Sequence, residues 1–293
     1  MIDLHTHSSA SDGTLSPAQL VENALQQGLS ALALTDHDTI AGLDEAKQEA
    51  EKSALRFIPG IEIEITWEPG EFHLLGLGIY QPRAAFLEAL AELAHLREMR
   101  NRKIIQRMQE WSIPVTYEDI LSLFRSSGKS IGRPHFASLL IKLGVVKNQE
   151  QAFSQYLGRG RPFYVPKEGM EFRRAVQVIQ DAGGIAVLAH PMSLYVAWGH
   201  LPALVKALKE QGLNGIEAWH PTAKVRSCKR LEELGKSLGL CITAGSDFHG
   251  ETRPERKLGI TAGNIKIDDA ILAAIPALEG LRSRAITPKS LAS

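Results

Sequence analysis

Two histidines separated by one residue, His5-Thr6-His7, close the short stretch Ile2-Asp3-Leu4, and Asp12 follows seven residues after His5. On an extended strand residues i and i+2 project to the same side, so both imidazoles face one point. Two ring nitrogens and a nearby carboxylate are donors suited to a divalent transition-metal ion. Taken alone, the trio also describes a solvated surface cluster. Recurrence separates the two readings. Asp36-His37 ends the apolar run Ala31-Leu32-Ala33-Leu34, Glu62 stands among isoleucines in Ile61-Glu62-Ile63, His190 ends Ile185-Ala186-Val187-Leu188, and Asp247 and His249 follow Leu240-Cys241-Ile242-Thr243-Ala244-Gly245. His73 breaks the pattern by opening its apolar run rather than closing it. This many nitrogen and carboxylate donors, without thiolates, would crowd a single ion, so two or three divalent metals (Mn, Zn or Fe) are expected.

Donors delivered repeatedly at strand ends need a repeating framework. Apolar runs of four to six residues, too short for helices, read as strands buried on both faces. Helical patterns alternate with them: Pro17–Gln27 with Ser16 as cap and Gly28 as stop, about 40–53, Phe172–Ala182, 201–211 and 227–238. At least seven such strands, five of them ending in Asp or His, favour an α/β barrel, because its C-terminal strand ends converge on one face. An open sheet would spread them along a line. From Pro82 the texture changes to an amphipathic helix reaching about Trp111, followed by helices at Tyr117–Phe124, Pro134–Leu143 and Gln149–Leu157. Residues 81–165 are therefore read as a mainly helical insertion capping the site, with the barrel formed by 1–80 and 166–293; the tail 287–293 is expected to fray.

Composition narrows the function. Among 293 residues Lys+Arg and Asp+Glu are both 33, so no global positive field gathers duplex nucleic acid. No apolar run reaches membrane length and no leader pattern precedes Ile2, which points to a cytoplasmic protein with no membrane partner. The two cysteines, Cys228 and Cys241, lack metal-binding spacing and suit a reducing compartment. A serine nucleophile is not supported: Ser8, Ser9 and Ser11 have no recognisable base partner.

Together, Asp3-Leu4-His5-Thr6-His7 with Ser11-Asp12-Gly13, Thr35-Asp36-His37-Asp38, Gly60-Ile61-Glu62, His73-Leu74-Leu75-Gly76, Ala189-His190-Pro191 and Gly245-Ser246-Asp247-Phe248-His249 resemble the PHP (polymerase and histidinol phosphatase) superfamily. Gly132-Arg133-Pro134-His135 further resembles its branch of nucleoside 3',5'-bisphosphate phosphatases and 5'-to-3' exoribonucleases. The resemblance implies a distorted seven-stranded β/α (TIM-like) barrel and a trinuclear centre. His5, His7, Glu62 and Asp247 would hold one ion, Glu62 as a bridge with His73 and His190 a second, and Asp12, His37 and His249 a third. It also accounts for His73, which would face Glu62 across a locally antiparallel pair. Asp36 is left to orient a ligand imidazole or to cap the next helix.

The expected chemistry is phosphate-ester hydrolysis by water activated between two ions, with Glu62, Asp247 and His249 at the reacting centre; a metal-bound water or His249 would protonate the leaving oxygen. Arg133 and His135, at a helix start, are expected to hold a second phosphate. His220, Lys224 and Arg226 follow another strand end and are candidate substrate contacts. Trp198 and His200 are read as base-stacking or packing residues, and the basic loop Gly158–Pro162 as connector or anion site. The expected substrate is a small nucleotide or short oligonucleotide. Histidinol phosphate is the alternative, disfavoured because its cationic amine gains nothing at Arg133. A non-catalytic accessory module of a polymerase is disfavoured by the completeness of the ligand set.

Overall fold

The computed structural model of the chain describes residues 1–124 and 131–279, so the tail expected to fray lies outside them. Its framework alternates β1 (Ile2–Asp3), α1 (Pro17–Gln26), β2 (Ala31–Leu34), α2 (Leu43–Ala50), β3 (Arg56–Ile65) and β4 (Phe72–Leu77). After a helical stretch it resumes with α7 (Phe172–Asp181), β5 (Ile185–Leu188), α8 (Leu201–Glu210), β6 (Gly215–Trp219), α9 (Val225–Ser237) and β7 (Cys241–Ala244). Strands β1 to β7 pair in chain order. The seam between first and last is bridged by the Leu4 N–H donating to the Ala244 carbonyl at 3.3 Å and the Asp247 N–H donating to the His5 carbonyl at 2.9 Å. The result is the expected distorted, nearly closed seven-stranded barrel.

One strand runs against the rest. β4 is antiparallel to both β3 and β5, and the other neighbours in the sheet are parallel. The cause is local: six residues separate Ile65 from Phe72, too few for the crossover that a parallel neighbour needs. Reversal places the start of β4, where His73 stands, at the end of the barrel where the other strands finish.

Between β4 and β5 the described elements are α3 (Ala84–Glu110), α4 (Tyr117–Phe124), α5 (Arg133–Lys142), the single turn α6 (Gln149–Ala152) and α7. The expected helix at 149–157 divides, because Phe153–Leu157 widens into a π-turn in which the Gly158 N–H donates to the Phe153 carbonyl at 2.8 Å. The expected helix from about Ile40 is shorter, starting after Gly42. α3 serves two cores. Phe86, Leu90 and Leu93 pack into the barrel layer, while Ile104, Ile105 and Met108 join a separate cluster with Phe136, Leu140, Leu157 and Phe163. A separate apolar cluster of this size lets the helical segment hold its own shape. Among the described residues no helix is long and apolar enough to cross a membrane.

Candidate metal centre

Glu62 is fully buried at the middle of the barrel mouth, and imidazoles converge on both of its oxygens. Oε2 lies 3.0 Å from His37 Nδ1, 3.2 Å from His7 Nε2 and 3.3 Å from His5 Nε2. Oε1 lies 2.8 Å from His73 Nδ1 and 2.9 Å from His190 Nε2. Asp247 Oδ1 meets His7 Nε2 at 3.1 Å and His5 Nε2 at 3.5 Å, and Asp12 Oδ1 meets His249 Nε2 at 3.2 Å. All nine residues singled out as ligands thus surround one small volume.

The backbone is bent to achieve this. His190 and Asp247 adopt φ of 26° and 50°, left-handed values that β-carbon-bearing residues hold only when surrounding structure imposes them. Such strain accumulates where a side chain must be aimed. The antiparallel register places His73 opposite Glu64, so Glu62 is its diagonal neighbour two residues away on the same face. His73 is consequently held between two carboxylates, with Nε2 3.0 Å from Glu64 Oε2.

The electrostatics favour positive charge in this pocket. Burial alone would depress His5 and His73, but Glu217 and Glu62 around the first, and Glu62 and Glu64 around the second, push both up to about 10. Burial would raise Glu62 and Asp12, yet the surrounding rings, His37 foremost for each, hold both carboxyls well below their usual range. Burial pushes His37, His190 and His249 the other way, towards the neutral ring whose lone pair can hold a cation. His7 Nδ1, Glu62 Oε2 and His249 Nε2 are buried without a hydrogen bond of acceptable geometry, although ring or carboxylate atoms lie near them. Donors that converge this closely without bonding one another suit a cation between them. The rings and carboxylates form overlapping sets of three or four within 4.8 Å: His7, Asp12, His37 and His249; His5, His220 and Asp247; His5, Glu62 and His190; His37, Glu62 and His73. These residues fit divalent metal ions in donor type and grouping.

Several supporting residues went unrecognised in the sequence. Glu217, fully buried on β6, places Oε1 2.9 Å from His5 Nδ1 and accepts the His190 N–H at 2.7 Å on Oε2. A carboxylate on the far nitrogen of a ligating imidazole fixes its ring and its tautomer. Replacing Glu217 with Gln is therefore expected to weaken metal retention about 10- to 100-fold, measured by chelator competition. Unchanged retention would remove Glu217 from this role. Asp3 accepts the Ser246 N–H at 3.0 Å and the Gly259 N–H at 2.8 Å, fastening the loop that carries Asp247. Both acids stand inside apolar strands, the same signal that Glu62 gave.

Other placements differ from expectation. Asp36 neither touches an imidazole nor caps α2; it accepts the Ser8 N–H at 2.8 Å and the Ser8 and Ser11 hydroxyls at 2.6 and 2.5 Å, holding the loop that bears Asp12. His220 is buried with Nε2 3.2 Å from Asp247 Oδ2, among the candidate metal donors, and lines the second cavity at the barrel mouth. His135 accepts the Gly132 N–H at 3.0 Å on Nδ1, so its ring closes the start of α5. Arg133 does face the cleft, paired with Glu71 at 3.0 Å. Lys224 and Arg226 are exposed at the start of α9 and line neither cavity at the barrel mouth. In their stead Arg253 and Arg256 reach Asp247, Arg256 the closer. Trp198 packs under the Arg230 guanidinium at 4.0 Å, and Arg159 of the basic loop pairs with Glu68.

A cation centre of buried imidazoles and carboxylates at the mouth of a seven-stranded barrel is the arrangement of the PHP domain, whose family pattern matches residues 3–164. The chain belongs to the PHP family and is a hydrolase of phosphate esters. It is 36% identical over 247 residues to a 5'-3' exoribonuclease of Haemophilus influenzae, covering 84% of this chain and 89% of that one. It is 31% identical over 260 residues to the 3',5'-nucleoside bisphosphate phosphatase of Chromobacterium violaceum, covering 89% and 91%. A Chromobacterium violaceum amidohydrolase crystallised with sulfate and no metal superposes with a TM-score of 0.79 at 30% identity, covering 93% of this chain and 96% of the other.

Proposed function

We propose that this protein hydrolyses phosphate esters of small nucleotides, removing the 3'-phosphate of nucleoside 3',5'-bisphosphates or trimming short 5'-phosphorylated oligonucleotides. The observation that carries the reading is that the metal donors Asp12, His37 and His73 share one cleft, of about 260 Å³, with Arg133 and Lys167. A reacting phosphate on the donor floor thereby has a cationic wall beside it for a second phosphate. Relatives named for both activities support the same substrate class.

His5, His7, Glu62 and Asp247 would hold one ion, Glu62, His73 and His190 a second, and Asp12, His37 and His249 a third. Mn, Zn or Fe bound there supplies Lewis acidity that brings water toward neutral pKa and offsets phosphoryl charge. The protein's own residues do the rest. Arg133 presents a forked donor at the N-terminus of α5, where free backbone N–H groups add to the attraction for an anion. Leu93, Leu96 and Phe153 give the cleft an apolar side for sugar and base. His249 donates its Nδ1–H to the Asp247 carbonyl at 2.8 Å, which orients the ring and leaves Nε2, on the Asp12 side, as the nitrogen that would hold the third ion.

Adenosine 3',5'-bisphosphate, a short 5'-phosphorylated RNA and histidinol phosphate distinguish the readings. Turnover is expected on the first two, with Arg133→Ala lowering kcat/KM about tenfold or more on both. Preference for histidinol phosphate, or an equal Arg133→Ala loss on all three, would overturn the proposal.

A further inference from the structure

A second cavity at the barrel mouth, of about 380 Å³, shares His37, His73 and Arg253 with the cleft walled by Arg97, Arg100, Arg133 and Lys167. A nucleotide with its 5'-phosphate against that wall and its 3'-phosphate on the donors leaves the second cavity to whatever follows the 3'-phosphate. Tyr195 stands at its rim. It ends the 3₁₀ turn Pro191–Leu194 that begins from the donor His190, and its φ of 53° is a left-handed value imposed by its surroundings. Its surface is 75% exposed, further than any other large hydrophobic side chain among the described residues, and neither its ring nor its hydroxyl has a partner among them. Beyond it the same loop carries Trp198, whose ring lies 4.0 Å beneath the Arg230 guanidinium of α9. Arg226 is one turn earlier on the same face of α9, towards Thr222, which also lines the cavity. Arg226 and Arg230 are exposed and, among the described residues, have no ion pair.

We infer that Tyr195 is a stacking platform for the nucleotide downstream of the cleaved bond, and that Arg226 and Arg230 continue it as a track for the phosphates of a single-stranded RNA. The inference rests on the reading of the substrate given above and makes Tyr195 a specificity-determining residue that favours oligonucleotides over the bisphosphate. An exposed ring fixed to a turn that starts at a donor offers a flat face near the reacting phosphate, and every base has a face to lay on it. When water adds to phosphorus the P–O3' bond breaks, a proton of that water goes to O3', and the phosphate stays on the 5'-oxygen of the downstream nucleotide. That nucleotide is the new 5' end, held beside the cleft it must enter next. A bisphosphate carries no second base and gains nothing from Tyr195. Two exposed cations one turn apart attract successive phosphates locally, which a chain of zero net charge allows.

The test compares the full chain with Tyr195→Ala, Tyr195→Trp and the double variant Arg226→Ala, Arg230→Ala. Steady-state kinetics are measured on adenosine 3',5'-bisphosphate and on 5'-phosphorylated di- and pentaadenylate. Binding of a phosphorothioate-linked, 5'-phosphorylated pentaadenylate is followed by fluorescence anisotropy. Tyr195→Ala is expected to lower kcat/KM for both oligonucleotides about tenfold or more relative to the bisphosphate, chiefly through KM, and to weaken pentaadenylate binding likewise. Tyr195→Trp, which keeps a stacking face, should restore most of both. The double variant should weaken pentaadenylate binding about threefold or more, with a shallower salt dependence, and spare diadenylate. Equal losses on all three substrates in Tyr195→Ala, undiminished pentaadenylate binding in that variant, or Tyr195→Trp no better than Tyr195→Ala would overturn the platform. A double variant with the wild-type affinity and salt slope would overturn the track. A wild type that hydrolyses neither oligonucleotide, yet whose pentaadenylate binding falls in Tyr195→Ala, would leave the platform standing and overturn the oligonucleotide reading of the substrate.

Discussion

Glu62→Gln is expected to reduce turnover on the order of 10³-fold or more, well beyond the roughly 10- to 100-fold cost of losing a partner outside the ligand set. The reason is that Glu62 is shared. Five imidazoles stand within 3.3 Å of its two oxygens, and it belongs to two of the donor groupings. The amide keeps the shape and removes the charge that counters those rings, leaving a buried cluster of cationic character with less compensation. Metal content should fall by more than one ion per chain, whereas His5→Ala should remove chiefly one. Elemental analysis of both variants checks this. Full metal content in Glu62→Gln would show that the carboxylate is not shared between ions.

A large effect on stability is expected from a residue with no side chain. A β-carbon added at Gly245 would lie 2.3 Å from the β-carbon of His5 and 2.8 Å from Glu217 Oε1, at the seam where β7 meets β1. Neither neighbour is free to yield, since His5 is held by Glu217 and Glu217 also accepts the His190 N–H. Gly245→Ala should therefore cost roughly 1–3 kcal/mol, as overpacking of a filled interior does, and lower metal affinity with it. Gly199→Ala is the control, because its β-carbon would enter open space. Thermal melts of the two variants decide the matter; equal melting temperatures would mean that the seam relaxes.

The converging donors were legible because strand chemistry and strand position coincide. A short apolar run can end in Asp or His only where its last side chain leaves the core, and in a barrel all such ends meet. Glu217 and Asp3 carried an equivalent signal, a carboxylate within a buried strand, but without a motif to draw attention to them. Glu64 and Lys167 were less accessible: their pairing depends on the register of β3 with β4 and on the course of the chain after the helical segment. Arg97 and Arg100 were hidden by their setting on a helix with many charges. Periodicity separates an apolar face from a charged one, but it does not tell which charges face water and which face a cleft. His135 and Asp36 were misjudged for a related reason, since a polar side chain beside a ligand loop serves equally well to fix the backbone.

The reversal of β4 also sets a length. A strand that runs backwards ends at the foot of the barrel, so whatever follows must climb its full height before reaching the mouth. β4 has six residues, about 20 Å of strand. From Ala84 to Arg97 along α3 is likewise about 20 Å of helix. The first half of α3 is thus a measured spacer, and the arginines begin where it clears the barrel. One residue inserted between Phe86 and Arg97 would turn Arg97 and Arg100 about 100° around the helix axis, and with them Ile104, Ile105 and Met108 of the second apolar cluster. The height at which these arginines stand over the cleft is thus set by the arithmetic of a helix against a strand.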